Sequence, residues 1–451
     1  MTQFSELGLA EPICRAVAAE GYDHPTPIQS QAIPHILAGA DLLGIAQTGT
    51  GKTAAFALPV LHRLSLVRKK AGPKGVRALV LTPTRELAIQ VSDCFGTYGC
   101  HLGLRRATIF GGVGMQPQIK TLAGGVDVLV ATPGRLLDLV NRDCLRLDMV
   151  EVLVLDEADR MLDMGFIHDV RKVVGMVPKQ RQTLFLSATM AGPVAELAST
   201  MLHQPKRVEV TPQATTVERI RQSVMFVSRD DKRQLLVDVL SDTSVGRAIV
   251  FSRTKHGANR LAEQLQKSGV TAEAIHGNKS QGARQRALAD FQAGRIRALV
   301  ATDIAARGID VDGITHVINF ELPNEPESYV HRIGRTARAG AEGCALSFCE
   351  LEELAYLKAI EKAIRQPVPV DDSHPYHAED IARRSSHGPV PKPPKRGGGG
   401  NGGGNGGNRP PRQGGEGKAR PAVPKAAAPS GDSRRSAARP QQPRRSRPQA
   451  A

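Results

Sequence analysis

Short apolar runs that alternate with helical segments are the feature that most restricts how this chain can fold. The first half has five such runs, at residues 42–45, 78–81, 126–130, 152–155 and 183–186. The second half has five more, at residues 248–251, 273–275, 298–300, 316–319 and 345–348. Runs of this length between helices indicate parallel strands that are covered on both faces. The sequence therefore predicts two α/β lobes in tandem, each with a doubly wound parallel sheet.

Two prolines and a lack of helical periodicity mark the connection between the lobes, in the segment 203–220 (HQPKRVEVTPQATTVERI). We place the linker at residues 209–220, the first lobe at residues 1–208 and the second lobe at residues 221–368. Two such lobes enclose a cleft, and open parallel sheets bind ligands beyond the carboxyl ends of their strands.

The positive charge is concentrated at the C-terminus. The chain of 451 residues has a formal net charge of +16, and residues 382–451 hold 16 lysines and arginines against two acids. Residues 369–451 are rich in glycine, proline and arginine, and the last aromatic residue is Tyr376. Such a segment cannot bury enough apolar surface to offset its chain entropy, so we predict a disordered basic tail over residues 369–451. The charge indicates a polyanionic partner.

Several classes of protein are not expected from this sequence. The N-terminal residues MTQFSELGLAEPIC have no basic region and no apolar core of a secretory signal, and no apolar run approaches the length of a membrane helix. The six cysteines form no C-x-x-C pair. These features predict a cytoplasmic protein with reduced thiols, no zinc site and no membrane partner.

A glycine-rich segment follows the first apolar run. It reads AQTGTGKT and comprises Ala46, Gln47, Thr48, Gly49, Thr50, Gly51, Lys52 and Thr53. This is the spacing of a phosphate-binding loop, with alanine where the general pattern has its first glycine. Lys52 is placed for the β- and γ-phosphates and the Thr53 hydroxyl for Mg²⁺. The alternative is a flexible turn with a surface lysine.

Two acids follow the apolar run 152–155. In this position Asp156 can hold Mg²⁺, partly through water, and Glu157 can polarise an attacking water as a general base. Acids after a strand are more often helix N-caps, which is the alternative interpretation. The phosphate loop upstream in the same lobe favours the catalytic interpretation.

Three arginines recur at intervals of three near the end of the second lobe, at Arg332, Arg335 and Arg338. A helix would present them on one face, and a charged face is ordinarily a solvated surface. Because they belong to the second lobe, however, Arg335 and Arg338 could reach the γ-phosphate across the cleft as arginine fingers. Such a finger is worth roughly 10³–10⁵ in rate.

An ordered set of motifs resembles the DEAD-box ATP-dependent RNA helicases, from residue 4 to about residue 364. The motifs are PTPIQ (25–29), AQTGTGKT (46–53), PTRELA (83–88), GG (111–112), TPGR (132–135), DEAD (156–159), SAT (187–189), VFSRT (250–254), ATDIAARGID (301–310) and HRIGRTARAG (331–340). The resemblance implies that both lobes are RecA-like. With its long basic tail, the chain is most similar to the bacterial RhlE-like branch. Residue 337 is alanine, whereas many members of the family have glycine at this position. Alanine is compatible with a helix, so we expect the arginines to keep their positions.

The resemblance also implies roles at the nucleotide. Gln29 would read the adenine edge of ATP, and Phe4 and Tyr22 would lie near the base. Asp310 would contact the ribose and Gly308 would lie near the phosphates. The remaining implied roles belong to His331, which would bridge to the DEAD segment, and to Ser187 and Thr189, which would couple hydrolysis to RNA binding.

For RNA, the implied contacts come from both lobes. The first lobe would supply Pro83, Thr84, Arg85, Gly112, Thr132, Gly134 and Arg135, and the second Gln281, Arg284, Thr302 and Asp303. The leading hypothesis is an RNA-stimulated ATPase with ATP and Mg²⁺ that unwinds short duplexes non-processively and remodels RNA–protein complexes, including ribosomal precursors or RNA-decay machinery. The alternatives are an ATP-gated RNA clamp with little unwinding and a DNA-dependent motor. We expect the tail to tether RNA near the core, and a spacer or solubility role is the alternative.

Overall fold

The computed structural model describes residues 3–47, 49–67, 69–190, 192–210, 220–306, 309, 311, 313–337 and 342–387. The predictions for Thr48, Gly308, Asp310 and Arg338, for most of the linker and for the tail beyond His387 lie outside these residues.

The first half of the chain forms a seven-stranded, wholly parallel sheet in the order β3-β4-β2-β5-β6-β1-β7. Its strands are β1 (Leu42–Ala46), β2 (Val76–Leu81), β3 (Arg106–Ile109), β4 (Val126–Ala131), β5 (Val152–Leu155), β6 (Gln182–Ser187) and β7 (Lys206–Val210). Its helices are α1 (Glu11–Ala19), α2 (Pro27–Leu37), α3 (Lys52–Leu66), α4 (Arg85–Tyr98), α5 (Met115–Leu122), α6 (Pro133–Asn141), α7 (Ala158–Asp163), α8 (Ile167–Met176) and α9 (Gly192–Met201). A short 3₁₀ helix, Phe4–Leu7, precedes them.

The second half forms a six-stranded parallel sheet in the order β10-β11-β9-β12-β13-β8. Its strands are β8 (Ile220–Phe226), β9 (Arg247–Phe251), β10 (Ala272–Ile275), β11 (Ala298–Ala301), β12 (Ile314–Asn319) and β13 (Gly343–Cys349). Its helices are α10 (Lys232–Ser241), α11 (Lys255–Lys267), α12 (Gln281–Gln292), α13 (Asp303–Ala306), α14 (Pro326–Ile333), α15 (Leu354–Ile364) and α16 (Glu379–His387), with a 3₁₀ turn at Leu351–Glu353. The predicted fold class of two tandem α/β lobes is confirmed.

Helices on both faces explain why the central strands are apolar at every position. In β2, Ala78 and Val80 pack into the core on one face of the sheet, and Leu79 and Leu81 pack into the core on the other. Since side chains alternate along a strand, a strand covered on both sides reads as a continuous apolar run.

At the carboxyl edge of the first sheet, the order of the strands separates the motifs predicted to bind nucleotide from those predicted to bind RNA. The phosphate loop follows β1, the SAT segment follows β6 and the DEAD segment follows β5, and these three strands are adjacent. The PTRELA, GG and TPGR segments follow β2, β3 and β4, which lie together in the other half of the sheet. The predicted nucleotide and RNA residues of this lobe are therefore neighbours along one edge.

Strands β3, β7 and β8 were not predicted. The whole of β7 falls inside the segment 203–220 that we interpreted as connecting the lobes, yet it pairs with β1 as an edge strand of the first sheet. Only Val208 of β7 is buried, so the strand lacks the continuous apolar run that marks its central neighbours. The last strand residue before the undescribed segment is Val210 and the first after it is Ile220.

The predicted start of the disordered tail at residue 369 was too early, because residues 369–387 pack against the second lobe. Val224 of the edge strand β8 donates its N–H to the carbonyl of Pro369 (2.8 Å) and accepts from Asp371 N–H (2.9 Å). Ala378 N–H bonds to the Phe226 carbonyl, and Ile381 of α16 is buried. Pairing with the free backbone groups of an edge strand needs no apolar run, so composition could not reveal it.

The arginines at 332 and 335 do not share a helical face, contrary to our interpretation. Helix α14 ends at Ile333, so Arg335 lies in the following turn, and Ala337 has a left-handed backbone with φ +55°. The expectation that Ala337 continues a helix was wrong, and its conformation is one that glycine adopts with less strain.

In the part of the chain that the structure describes, no helix is long and apolar enough to cross a membrane. All six cysteines lie within that part and all are free thiols. The same residues contain no cluster of three or more histidine, cysteine or acidic side chains that could hold a metal ion.

Candidate functional site

The phosphate loop connects β1 to α3 and faces a cavity of about 520 Å³. Lys52 begins α3 and is almost fully buried, and its ammonium group donates to the Ala46 carbonyl at 2.6 Å. The Thr50 hydroxyl donates to the Gln47 carbonyl at 2.7 Å. The loop therefore holds Lys52 at the N-terminal end of a 15-residue helix, where the helix dipole favours a bound anion.

Gln29 and Thr26 fasten helix α2 to the phosphate loop. The Gln29 amide donates to the Gly51 carbonyl at 3.1 Å, and its oxygen accepts from Thr26 N–H at 2.9 Å. The Thr26 hydroxyl donates to the Thr50 carbonyl at 2.8 Å. Gln29, which we predicted to read adenine, thus also supports the loop. We did not single out Thr26, although a threonine N-cap followed three residues later by glutamine is a recognisable capping pattern.

Gly51 is required at its position for two physical reasons. Its φ is +90°, and a Cβ would lie 2.5 Å from Gln29 Nε2 and 2.9 Å from Thr26 Oγ1. We therefore expect Gly51→Ala to strain the backbone and to break the contacts of Gln29 and Thr26, at a cost of about 2–4 kcal/mol. The measurement is the thermal unfolding midpoint of the nucleotide-free protein.

Gly49→Ala is the matched control for this substitution. Gly49 has φ +84° but open space around a Cβ, so the control contains the backbone strain without the steric overlap. A drop in unfolding midpoint that is equal in the two variants would show that the contacts of Gln29 and Thr26 contribute nothing to the loop.

The two acids that follow β5 line the same cavity as Lys52 and Thr53. Asp156 is 2% exposed. Glu157 has a left-handed backbone with φ +54°, and its carboxylate accepts from Arg160 Nη1 at 2.7 Å. Burial, together with the charge of Glu157, raises the pKa of Asp156 to about 7. The carboxyl edge of β5 is therefore a place where a cation would be stabilised.

The raised pKa of Asp156 predicts how stability varies with pH. An unfolded aspartate titrates near pH 4, so the folded protein binds this proton more tightly, and the stability that protonation contributes is lost as the pH rises through about 7. Asp156→Asn resembles the protonated carboxyl at every pH. Its unfolding free energy should exceed that of the wild type by up to about 4 kcal/mol at pH 8.

Denaturant unfolding of both proteins in EDTA, without nucleotide, at pH 5 and pH 8 measures this difference. We expect the difference between the two proteins to grow with pH. A difference that is the same at both pH values would show that the Asp156 carboxylate is not destabilised by its surroundings.

Asp159 joins the DEAD segment to the SAT segment. Its Oδ2 accepts from Ala188 N–H (3.1 Å), from Thr189 N–H (3.0 Å) and from the Thr189 hydroxyl (3.1 Å). The Ser187 hydroxyl donates to the Thr189 carbonyl at 2.7 Å. Of the two predicted coupling residues, Thr189 is therefore held directly to the segment with the two acids, and Ser187 is held to it through Thr189. Our prediction did not assign a role to Asp159.

The second lobe contributes Arg335 to the cavity that holds the phosphate loop. Arg335 is 4% exposed, and its Nη1 donates to the Ile309 carbonyl at 2.8 Å. His331 lies one turn earlier, at the end of α14, and lines a small cavity together with Asp303, Arg332 and Arg335 itself. The bridge from His331 to the DEAD segment stays a prediction, and Arg338 lies outside the described residues.

Apolar and aromatic side chains also line this cavity. Phe4 and Tyr22, predicted to lie near the base, line it, and Tyr22 is half exposed. Cys94 and Tyr98 from the C-terminal half of α4 also line it and were not predicted. Burial raises the pKa of the Cys94 thiol to about 11, so this cysteine is an uncharged wall of the cavity.

A second cavity, of about 450 Å³, collects most of the residues that we predicted to contact RNA. Its lining includes Pro83, Thr84, Arg85, Thr132, Gly134, Arg135 and Arg284, together with Glu86, Gly111, Asp138, Met164, Phe166 and Gly277. We call this cavity the groove. Gly112 lies beside it with φ +79°, and a Cβ there would overlap the Arg85 guanidinium. Glycine at this position lets Arg85 lie against the backbone.

Glu86 connects the two lobes at the groove. It is buried, and its Oε1 accepts from Gln281 Nε2 (3.0 Å) and from Arg284 Nε (2.9 Å) of the second lobe. Arg85 Nη1 donates to Gln281 Oε1 at 3.4 Å. Three predicted RNA residues, Arg85, Gln281 and Arg284, thus also hold the lobes together. Glu86, which belongs to the PTRELA motif, was missed.

Two further predicted RNA residues, Thr302 and Asp303, follow β11. Thr302 is buried, and the Asp303 carboxylate accepts from Arg332 Nε (2.5 Å) and Nη2 (2.8 Å). Arg332 also donates to Asn319 and lies over the ring of Phe251, so it is an interior residue that orients Asp303. Contact of Thr302 and Asp303 with RNA stays a prediction.

Around one cavity lie a phosphate loop, two acids at the end of a strand and an arginine from a second RecA-like lobe. This combination is typical of two-lobe nucleotide hydrolases. The sequence profile described as DEAD/DEAH box helicase matches residues 26–197, and the helicase conserved C-terminal domain matches residues 231–340. The chain therefore belongs to the DEAD/DEAH box helicase family and is an ATP-hydrolysing RNA helicase.

Known proteins that resemble the chain include a bacterial RNA helicase and two proteins whose structures were solved with RNA bound. ATP-dependent RNA helicase CshA of Listeria monocytogenes is 44% identical over 366 residues, which are 81% of this chain and 69% of the relative. The structure of S. cerevisiae Dbp5 bound to RNA and ADP BeF3 has 31% identity and a TM-score of 0.73, covering 86% of this chain and 99% of that one. The structure of Mss116p bound to ssRNA and AMP-PNP has 27% identity and a TM-score of 0.73, covering 85% of this chain and 82% of that one.

Proposed function

We propose that this helicase hydrolyses ATP in the cavity between its lobes and uses the cycle to open short RNA duplexes locally, without processive tracking. The observation that carries the proposal is that residues of both lobes line the cavity with the phosphate loop and also the groove with Arg85 and Arg135. A ligand of either site favours the arrangement in which the lobes meet, so each ligand raises the affinity for the other.

The proposed chemistry is in-line attack of water on the γ-phosphate. Lys52 neutralises phosphate charge, Glu157 accepts a proton from the water, and Arg335 stabilises the charge that develops in the transition state. Arg338, outside the described residues, is the proposed second arginine finger. The remaining loop residues and Gln29, Phe4 and Tyr22 bind and orient ATP.

The oxygen atoms of Thr53 and Asp156 fit a magnesium ion. Mg²⁺ prefers oxygen ligands, usually one or two carboxylates together with water and phosphate. The buried Asp156 carboxylate, whose pKa is raised by burial and by the charge of Glu157, has the character of such a ligand. When bound there, Mg²⁺ would neutralise charge on the β- and γ-phosphates.

Helix α4 supports coupling between the two sites. Its N-cap Thr84 and its first turn line the groove, while Leu87, Gln90 and Cys94 further along line the nucleotide cavity. Asp159 adds a second connection, because it ties the SAT segment to the strand end that carries the two acids. A displacement of α4 or of Asp159 at one site would therefore also displace residues at the other site.

The proposed partners in the cytoplasm are RNA and, with it, ribosomal precursors or the RNA-decay machinery. A groove lined by arginines and backbone is suited to phosphate and sugar, and such contacts carry little sequence information. Unwinding would be local, because a strand that is bent in the groove cannot stay paired.

A duplex-release assay tests unwinding directly. A short RNA duplex with a fluorophore on one strand and a quencher on the other is mixed with protein and ATP, and ATP hydrolysis is measured in the same samples. We expect ATP-dependent strand release together with RNA-stimulated hydrolysis. Hydrolysis with the duplex intact would instead support an ATP-gated clamp, and stronger stimulation by DNA would support a DNA motor.

A further inference from the structure

The N-terminal segment, residues 3–10, forms part of the wall of the nucleotide cavity. Its 3₁₀ helix carries Phe4, which lines the cavity. Leu7 and Leu9 pack into the apolar core of the first lobe, and the segment ends at Ala10, the N-cap of α1. The position of Phe4 in the cavity therefore depends on how this segment is held against the lobe.

Helix α3 holds the segment at its C-terminal end. His62, in the C-terminal half of α3, accepts a hydrogen bond through Nδ1 from Ala10 N–H at 3.0 Å. The same helix begins with Lys52 at the phosphate loop. One helix thus connects the loop that faces the phosphates to the segment that carries Phe4.

The thiol of Cys14 on α1 also contacts the N-terminal segment. Its Sγ lies 4.0 Å from the Phe4 carbonyl oxygen and 3.8 Å from the Leu9 carbonyl oxygen. A thiol is a weak hydrogen-bond donor, whereas an imidazole nitrogen is a good acceptor for a backbone N–H. The bond between His62 and Ala10 therefore contributes more to holding the segment.

The bond to Ala10 requires a neutral His62. A backbone N–H can only donate, so Nδ1 is the acceptor and the proton of the ring lies on Nε2. Burial lowers the pKa of His62 below its usual value, which keeps the ring neutral at neutral pH. In the protonated ring both nitrogens carry hydrogen and neither can accept. The bond is therefore present at neutral pH and is lost as the pH falls below about 6.5, the usual pKa of histidine.

Among the described residues, the titratable groups on the elements around His62 are not a cause of its lowered pKa. These groups are Glu6, Glu11, Cys14 and Arg15 on the N-terminal segment and α1, His35 on α2, Arg63 on α3, and Asp93, Cys94 and Tyr98 on α4. Burial, and not a neighbouring charge, therefore sets the protonation state of His62.

We infer that His62 is a positioning residue for ATP binding, which holds Phe4 at the nucleotide cavity through the backbone of Ala10. The inference rests on the proposed function, since it assumes that Phe4 lies against ATP. His62 is not among the residues that line the cavity, so it acts through the segment and not by contact with the nucleotide. A segment that is already held in place loses less conformational freedom when ATP binds, which raises the affinity.

The test compares two substitutions of His62 in the full chain. In His62→Asn, Oδ1 is bonded to Cγ as Nδ1 is in histidine, so it can accept from Ala10 N–H at every pH. In His62→Leu the side chain remains bulky but cannot accept a hydrogen bond. The Kd for ATP with Mg²⁺ is measured by calorimetry at pH 7.5 and pH 5, and the thermal unfolding midpoint and RNA-stimulated kcat are measured at pH 7.5. His101→Leu, which changes an exposed histidine of the same lobe, is the control.

At pH 7.5 we expect His62→Leu to raise the Kd for ATP by about three- to tenfold, because Ala10 N–H loses its partner. His62→Asn and His101→Leu should bind ATP as the wild type does. At saturating ATP and RNA, kcat of His62→Leu should stay within about twofold of the wild type, because His62 does not contact the reacting atoms. At pH 5 the wild type should bind ATP about three- to tenfold more weakly than His62→Asn, since protonation removes the acceptor only from histidine.

Two results would overturn the role of His62 alone. One is a Kd for ATP at pH 7.5 that is the same in a folded His62→Leu as in the wild type or in His101→Leu. The other is a Kd that varies with pH equally in the wild type and in His62→Asn, and this comparison does not require the leucine variant to fold.

Phe4→Leu separates this inference from the proposed function. Removal of the ring should raise the Kd for ATP at pH 7.5 if Phe4 lies against the nucleotide. If Phe4→Leu binds ATP as the wild type does, the proposed role of Phe4 is wrong, and the inference about His62 fails with it. If Phe4→Leu binds more weakly while His62→Leu binds normally, only the inference about His62 fails.

Discussion

Replacing Arg335 with alanine should lower RNA-stimulated kcat for ATP hydrolysis by about 10³–10⁵, which corresponds to roughly 4–7 kcal/mol of transition-state stabilisation. The expectation follows from position: Arg335 is a buried cation of the second lobe that lines the cavity containing Lys52 and Glu157. Affinity for ATP should change much less, because the developing charge is greatest in the transition state.

Two further variants separate catalysis from folding. Arg335 Nη1 donates to the Ile309 carbonyl, so the substitution also removes a buried hydrogen bond, and the thermal midpoint must be measured beside kcat. Arg335→Lys keeps the charge but loses the planar fork and should remain strongly impaired. Arg233→Ala changes an exposed arginine on α10 and should hydrolyse ATP normally. A decrease in kcat of less than threefold in Arg335→Ala would show that Arg335 takes no part in the chemical step.

Replacing Glu157 with glutamine should reduce kcat by about 10²–10⁴, the range typical of a lost general base. The amide has the same shape but cannot accept the proton, so ATP and RNA should still bind. We therefore expect a long-lived complex of the variant with ATP and RNA, measured as slow dissociation of a fluorescent RNA after a chase with unlabelled RNA.

The ion pair of Glu157 with Arg160 supplies the control for this variant. Because the two side chains bond at 2.7 Å, glutamine at 157 also leaves Arg160 without its charged partner. Arg160→Gln breaks the same pair but leaves the carboxylate at 157 in place. If Arg160→Gln lost as much activity as Glu157→Gln, the effect would come from the broken pair, and Glu157 would not be the base. Loss of ATP binding in Glu157→Gln would also contradict its role.

Burial on both faces of a sheet decided which strands could be predicted from sequence. Central strands such as β5 are buried at every position and stand out as apolar runs. The edge strand β7 exposes most of its side chains, and the segment at 369–371 pairs with β8 through backbone atoms alone. Neither leaves a hydrophobic pattern, so the sequence suggested a linker and a tail where the structure has ordered chain.

The residues of the candidate site also differ in whether the sequence alone could predict them. Lys52, Asp156 and Glu157 belong to local patterns with a direct chemical meaning, so the sequence was sufficient to propose them. The contact of Glu86 with Arg284 depends on how two lobes meet, and no local spacing encodes it. The turn at Arg335 was hidden for another reason: arginines at intervals of three favour a helix, but α14 ends two residues earlier at Ile333.

A structure of the protein with single-stranded RNA and a non-hydrolysable ATP analogue tests the central claim most directly. The account predicts that the Arg335 guanidinium donates to an oxygen of the γ-phosphate at hydrogen-bond distance, with Lys52 on the opposite side of the phosphate. A complex in which both ligands are bound while Arg335 points to solvent, or stays outside the nucleotide cavity, would contradict it.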